Sequence, residues 1–207
     1  KEVIKTSLQN AVKTQQNQTI TTLKGQKSSD ISALLERYKG RIAQVLPKHL
    51  TAERMIQIAT TVVAQTPALL ECTPASLIGA VLQASILGFK PVPILGYCYF
   101  IPYSRKIGEG KWIKEVQFQI GYRGYIDLAR RSGEIQSVQA EVVKEGDLFE
   151  YELGLNPKLK HIPGQKRGNI VYAYAIIRYK DGGYNFNVIT ANEIEKLRLR
   201  SPMQSQG

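Results

Sequence analysis

Residues 115–133, EVQFQIGYRGYIDLARRSG, decide how this chain folds. Val116, Phe118 and Ile120 alternate with Glu115, Gln117 and Gln119, the period-two pattern of a half-buried strand. The alternation stops at Gly121. From Tyr122 to Ser132 the spacing becomes helical, and Gly133 stands just past the end, where a left-handed residue closes a helix. A strand therefore runs almost directly into a helix in the middle of the chain.

Upstream, GYCYFIPY at 96–103 places Tyr97, Tyr99, Ile101 and Tyr103 on one face of a second strand. Between the two strands lies SRKIGEGKWIK at 104–114, long for a hairpin connection. The expectation is a hairpin with a projecting basic tip. Before it come three helices. Ile31, Leu34, Leu35, Tyr38, Ile42 and Val45 recur at helical spacing, and Pro47 ends the run. Thr51 caps a second helix that stops before Pro67. Thr73, Pro74 and Gly88 punctuate the third, whose middle, SLIGAVLQASIL, is apolar nearly all round and expected to be buried.

Downstream, strands are expected at 135–144 and 148–153, then a Pro/Gly/Lys loop over 154–168. A hairpin follows, 169–180 with 184–190, around Asp181-Gly182-Gly183. Thr190 and Glu193 form a capping box that opens the last helix. This order predicts an α+β fold: a short, mostly antiparallel sheet with a projecting β-hairpin, packed with helices. Residues 1–28 are rich in Gln, Thr, Lys and Asn, and read as a polar segment that is disordered or contacts other copies. Residues 30–200 read as a single domain.

The chain has 207 residues, 43% hydrophobic and 22% charged, with a net charge of +11. That excludes a disordered chain, a collagen-like repeat and a disulfide scaffold. No apolar run reaches the roughly 18 residues that span a bilayer, and KEVIKTSLQN at the amino end has no apolar signal-peptide region. Cys72 and Cys98 sit in apolar surroundings and read as buried thiols in a reducing compartment.

The charge is blocked. Arg105, Lys106, Lys111, Lys114, Arg123, Arg130 and Arg131 crowd into 104–131. Glu134, Glu141, Glu145, Asp147, Glu150 and Glu152 follow, and then Lys158, Lys160, Lys166 and Arg167. Such blocks suit a polyanion groove, or head-to-tail contact between copies.

No catalytic set, cofactor motif or metal set emerges. Gly108-Glu-Gly110-Lys111 is too short for a phosphate loop and lacks the following Ser or Thr. His49, at a helix junction, and His161, in a basic loop, read as surface or capping residues. Glu109-Gly-Lys111 is the one acid-x-Lys match to a metal-dependent nuclease, and it sits in a Gly-rich loop with no aspartate shortly upstream. A nuclease, and a basic scaffold that contacts an acidic protein, are the alternative functions.

What remains is a binding surface. Arg105, Lys106, Lys111 and Lys114 would track phosphates, while Trp112 either stacks on bases or closes a small apolar cluster. Tyr122 and Arg123 open a helix between glycines, where a phosphate chain can approach, or else form an ordinary turn with Tyr122 and Tyr125 in the core. Gln117 and Gln119 either bond nucleic acid or face solvent. Arg130, Arg131, Lys196, Arg198 and Arg200 are cationic helix ends, which the helix dipole favours in any case. These residues point to nucleic-acid binding through the backbone, without sequence preference.

Four stretches carry a family resemblance: LTAERMIQIATT at 50–61, TPASLIGAVLQASILGFKP at 73–91, FQIGYRGYIDLARRSGEIQSVQAEVVKEGDLFEYELG at 118–154 and YKDGGYNFNVITANEIEKLR at 179–198. They resemble the RecT family of phage and prophage recombination proteins. The resemblance implies ATP-independent annealing of single-stranded DNA into duplex, by an oligomer in helical filament or ring form. It also implies a phage exonuclease as partner through a carboxy-terminal region that begins near 201–207, a bacterial host cytoplasm, no membrane, and a fold related to the annealing core of Rad52 and Red beta. In that reading 30–200 is the annealing domain.

Overall fold

The computed structural model describes residues 28–200. The expectations for residues 1–28, Ser28 apart, and for 201–207 lie outside the described residues. The chain divides between Asp127 and Leu128 into two compact units.

The first unit begins with α1 (Ser28–Glu36), α2 (Lys39–Val45) and α3 (Ala52–Gln65). The single helical run expected from Asp30 is two helices. Tyr38 leaves helical geometry (φ −102°, ψ 4°), and its N–H takes the Leu35 carbonyl in a tighter i→i−3 turn. Thr51 caps α3 by accepting the Arg54 N–H at 3.3 Å. A 3₁₀ turn (Pro67–Glu71) leads to α4 (Pro74–Leu87), with Thr73 accepting from Ser76 N–H and Gly88 left-handed at φ 67°. Leu77, Val81 and Ala84 of α4 are fully buried, but Ile86 is 60% exposed, so this helix keeps one open face. Ile31, Leu35, Ile42, Met55, Leu69, Phe89 and the free Cys72 and Cys98 complete the core. Burial pushes both thiols up, Cys98 to about 12, so neither is a ready nucleophile.

Strands β1 (Cys98–Gly108) and β2 (Lys111–Ile120) form an antiparallel ribbon. The helix layer and the ribbon are tied through the α4 cap. The Thr73 N–H donates to the Lys114 carbonyl at 3.0 Å, and the Val116 N–H donates to the Ser76 hydroxyl at 2.8 Å. The expected long loop over 104–114 is not a loop. Both strands continue through it to a two-residue turn, Glu109-Gly110, with Gly110 at φ 69°. The basic segment is thus a rigid, paired extension of the ribbon. Helix α5 (Tyr122–Arg131) follows, and Gly133 closes it at φ 81°.

The second unit is built on an antiparallel sheet of β3 (Ile135–Lys144), β6 (Ile170–Tyr179) and β7 (Tyr184–Thr190), in the order β3-β6-β7. A two-stranded ribbon, β4 (Leu148–Glu152) with β5 (Lys158–Ile162), lies against one face of the sheet. Phe149 meets Tyr172 and Tyr174 there at ring separations of 5.4 and 5.7 Å. Strand β5 corrects the loop expected over 154–168: in Lys158-Leu-Lys-His-Ile162, Leu159 and His161 face inward. His161 is accordingly not a surface residue. Its side chain is 7% exposed and its Nε2 lies 3.1 Å from Asp147 Oδ2. Helix α6 (Ala191–Leu199) opens with the Thr190–Glu193 capping box, both halves formed.

The opposite charge blocks meet inside this unit. Glu150 stands across from Lys160 and Glu152 from Lys158, and Arg167 grips Asp147 at 2.8 Å. Part of the charge read as an interface between copies is therefore paired within one chain, firmly at Arg167–Asp147 and loosely at Lys158–Glu152.

Candidate nucleic-acid interface

Register assigns each ribbon side chain to a face. Tyr99, Ile101, Tyr103 and Arg105 lie opposite Gln119, Gln117, Glu115 and Ile113, and share the outer face. Phe100 and Pro102 lie opposite Phe118 and Val116 on the face that meets the helices; toward the tip the same face carries Lys106 opposite Trp112, and Ser104 opposite Lys114. The hairpin residues singled out from the sequence are therefore split between two faces. Arg105, Gln117 and Gln119 belong to one, and Lys106, Trp112 and Lys114 to the other. Lys111 sits beside the turn.

The outer face continues onto the start of α5. The Arg123 stem and the Tyr99 hydroxyl both lie over Gly96. Arg123 Nε donates to the Tyr122 hydroxyl at 3.1 Å, and its guanidinium carbon is 5.8 Å from the Tyr122 ring centre. Tyr103, Trp112, Tyr122 and Tyr125 are 58–68% exposed. Trp112 thus closes no apolar cluster, and Tyr122 and Tyr125 are not core. Large rings held open to water offer base-stacking positions, and they stand on both faces of the ribbon rather than on one. The glycines have another role: Gly121 and Gly124 pack against the Gly96 and Tyr97 carbonyls, and the approach serves the protein's own backbone rather than a phosphate.

The cations differ in freedom. Arg105 donates twice to Glu115, at 2.6 and 2.8 Å, and holds that carboxyl below the usual carboxylate range. Lys114 pairs with Glu71, which raises the ammonium. No ion pair among the described residues involves Lys106 or Lys111. A phosphate must displace Glu115 before Arg105 can serve it. The variant Glu115→Gln is therefore expected to steepen the dependence of log binding constant on log salt by about 0.7, one phosphate contact on single strands. A fluorescence titration over a salt series measures this.

Arg130, Arg131, Lys196, Arg198 and Arg200 belong to the second unit. All are exposed, and Arg198 is bound to Glu195 at 2.6 Å. Sequence reasoning passed over Tyr99 and Tyr103 as contacts. Their signal was present, since the alternation that places Gln117 and Gln119 on an outer face places these tyrosines opposite them. Among the described residues no group of three His, Cys, Asp or Glu side chains converges to hold a metal, and no helix is long and apolar enough to cross a membrane.

The RecT family matches residues 53–206, most of the chain. The chain belongs to the RecT family. It is 45% identical over 184 residues to Protein RecT of Escherichia coli (strain K12), covering 87% of this chain and 68% of that protein. It is 30% identical over 127 residues to the Uncharacterized protein YqaK of Bacillus subtilis (strain 168), covering 59% of this chain and 40% of that protein. The RecT match begins in α3 and takes in the ribbon, α5 and every element of the second unit, so both faces described above lie within it.

Proposed function

We propose that this RecT-family chain binds single-stranded DNA and anneals it to a complementary strand without ATP, in phage homologous recombination. The carrying observation is the ribbon. Open aromatic rings and cations stand on both of its faces: Trp112 lies across from Lys106 on one, Tyr103 stands on the other, and Tyr122 with Arg123 opens the helix that follows. Rings accept any base face and cations accept any phosphate, so binding is blind to sequence. Annealing needs two polyanions held close with their bases unread, and makes no covalent bond. The remaining cations at Arg130, Arg131, Lys196, Arg198 and Arg200 add to the positive field, with Gln117 and Gln119 as amide contacts on the outer face.

A weak site per copy becomes a firm grip when copies line up on one strand, so the working form is a homo-oligomeric filament or ring. The charge blocks at 134–152 and 156–168, only partly paired within the chain, supply contact between copies. A phage exonuclease supplies the resected strand and is held through the carboxy-terminal region. The working compartment is the bacterial host cytoplasm. The annealing domain spans 30–200.

Lys111→Ala and Arg123→Ala are each expected to weaken binding to every sequence and to flatten the salt slope by about 0.7 to 1. Titration of unrelated oligonucleotides reads this; an unchanged slope removes the residue from the interface. The function itself is tested by adding two complementary oligonucleotides in succession and following duplex formation, with electron microscopy of the products. Hybridisation no faster than with an unrelated cationic protein would reject it.

A further inference from the structure

The second unit has a cleft of about 270 Å³ between the β4–β5 ribbon and the β6–β7 hairpin, lined by Lys158, Leu159, Ile176, Arg178, Tyr184 and Phe186. Register explains its shape. Arg178 stands directly across from Tyr184 and Ile176 across from Phe186, so all four share one sheet face. Leu159, facing inward from β5, supplies the opposite wall. Leu159, Ile176 and Phe186 are only half-buried, which leaves an apolar floor open to solvent.

The rim is cationic. Arg178 is exposed, and no hydrogen bond or ion pair of its side chain occurs among the described residues. Lys158 has one acidic neighbour, Glu152 at 3.7 Å, with both side chains largely exposed; such a pair is weak and exchanges easily for a phosphate. No carboxylate lines the cleft. The Tyr184 ring is held in place because its hydroxyl donates to the Pro157 carbonyl. A ring held in advance loses little freedom when a partner stacks on it. Past Lys158 and Tyr184 the cleft opens into a second hollow, along Asn156 and the Gly182-Gly183 turn.

We infer that this cleft is a second contact for single-stranded polynucleotide, separate from the β1–β2 ribbon. One base enters against Tyr184 and Phe186, its flanking phosphates meet Arg178 and Lys158, and the strand leaves through the second hollow. An acidic peptide satisfies the two cations equally well but has no flat group for a slot walled by rings. The inference rests on the single-strand binding proposed above. It adds a place where the second unit grips a strand, which a chain that pairs two strands requires.

The test uses the whole chain and a fluorescent oligothymidylate over a salt series. Arg178→Gln with Lys158→Gln, which keep most of each stem, are expected to flatten the salt slope by about 1.4, at about 0.7 per phosphate on single strands. In the unaltered chain, an oligonucleotide carrying 5-iodouracil is expected to photocrosslink into the peptide containing Tyr184. Excess unlabelled oligothymidylate should suppress that crosslink, and polyglutamate of equal charge should not. If the double variant keeps the full slope and the crosslink is absent, while Lys106→Ala with Lys111→Ala flattens the slope, the cleft is overturned and the ribbon reading stands. Suppression by polyglutamate as strong as by oligothymidylate makes the cleft an acidic-peptide site and overturns the inference. Failure of the unaltered chain to bind oligothymidylate overturns both readings.

Discussion

Gly121→Ala and Gly124→Ala should each lower the stability of the first unit by about 3 kcal/mol, the upper part of the range for forced overpacking. In a unit of this size that is a fall in melting temperature of roughly 12–20 °C. A Cβ on Gly121 runs into the Gly96 carbonyl oxygen and lies 2.9 Å from the Tyr99 ring. A Cβ on Gly124 runs into the Tyr97 carbonyl oxygen and lies 2.8 Å from Ile120 Cγ2 and 3.2 Å from Phe89. Alanine is favoured over glycine inside a helix by up to about 1 kcal/mol, which is too little to offset a collision with main chain. The main chain is also held there, since the Gly121 N–H donates to the Tyr97 carbonyl at 2.9 Å. Gly79, in α4, is the control. Its Cβ would meet nothing within 4 Å, so Gly79→Ala should stabilise by about 0.5–1 kcal/mol. Thermal denaturation of the three variants checks both signs. Equal effects at Gly79 and Gly124 would show that helix propensity, and not the close approach, governs these positions.

Asp147→Asn should lower the melting temperature of the second unit by of order 10 °C, because it breaks a buried charged cluster from one side. The Asp147 side chain has no exposed surface. It accepts from Arg167 Nη2 at 2.8 Å, from the Lys144 N–H at 2.9 Å and from the Gly164 N–H at 2.9 Å. His161 Nε2 lies 3.1 Å away, and His161 Nδ1 lies 3.1 Å from the Tyr174 hydroxyl. An imidazole protonated on Nε2 donates to the carboxylate and accepts from the tyrosine, so the cluster has a complete pairing. One carboxylate thus ties the β3–β4 turn, β5 and the 164–167 segment together.

Arg167 and these donors hold the Asp147 carboxyl well below the usual carboxylate range. A depressed folded-state value means that the stabilisation is complete above the unfolded value, near 4, and shrinks as pH falls below it. Denaturation followed between pH 2 and 6 should show the native chain losing stability below about pH 4, with a shallower loss in Asp147→Asn. Parallel pH curves for the two chains would remove Asp147 from that role.

The ribbon shows how far local pattern reaches. Its apolar half was legible because Val116, Phe118 and Ile120 alternate with polar residues. Its tip was not, because over 104–114 both faces meet water and no apolar alternation survives to mark a strand. Strand β5 was passed over because lysines and prolines surround it, although Leu159 and His161 do alternate with Lys158, Lys160 and Ile162. The second-unit cleft carried no local sign at all, as its walls come from residues 158 to 186.

Most of the order of elements, β5 and the break at Tyr38 apart, the caps at Thr51, Thr73 and Thr190, the left-handed glycines at 88, 133 and 182, the α+β class and the RecT resemblance follow from residues within a few places of each other, where spacing and backbone sterics act directly. Tertiary structure alone decided that Glu115 and Glu71 occupy Arg105 and Lys114, that Arg167 pairs with the buried Asp147, and that Gly121 and Gly124 serve packing. The pairs Lys114–Glu71 and Arg167–Asp147 are 43 and 20 residues apart. Coulomb attraction and close packing depend on separation in space, and separation along the chain does not encode it.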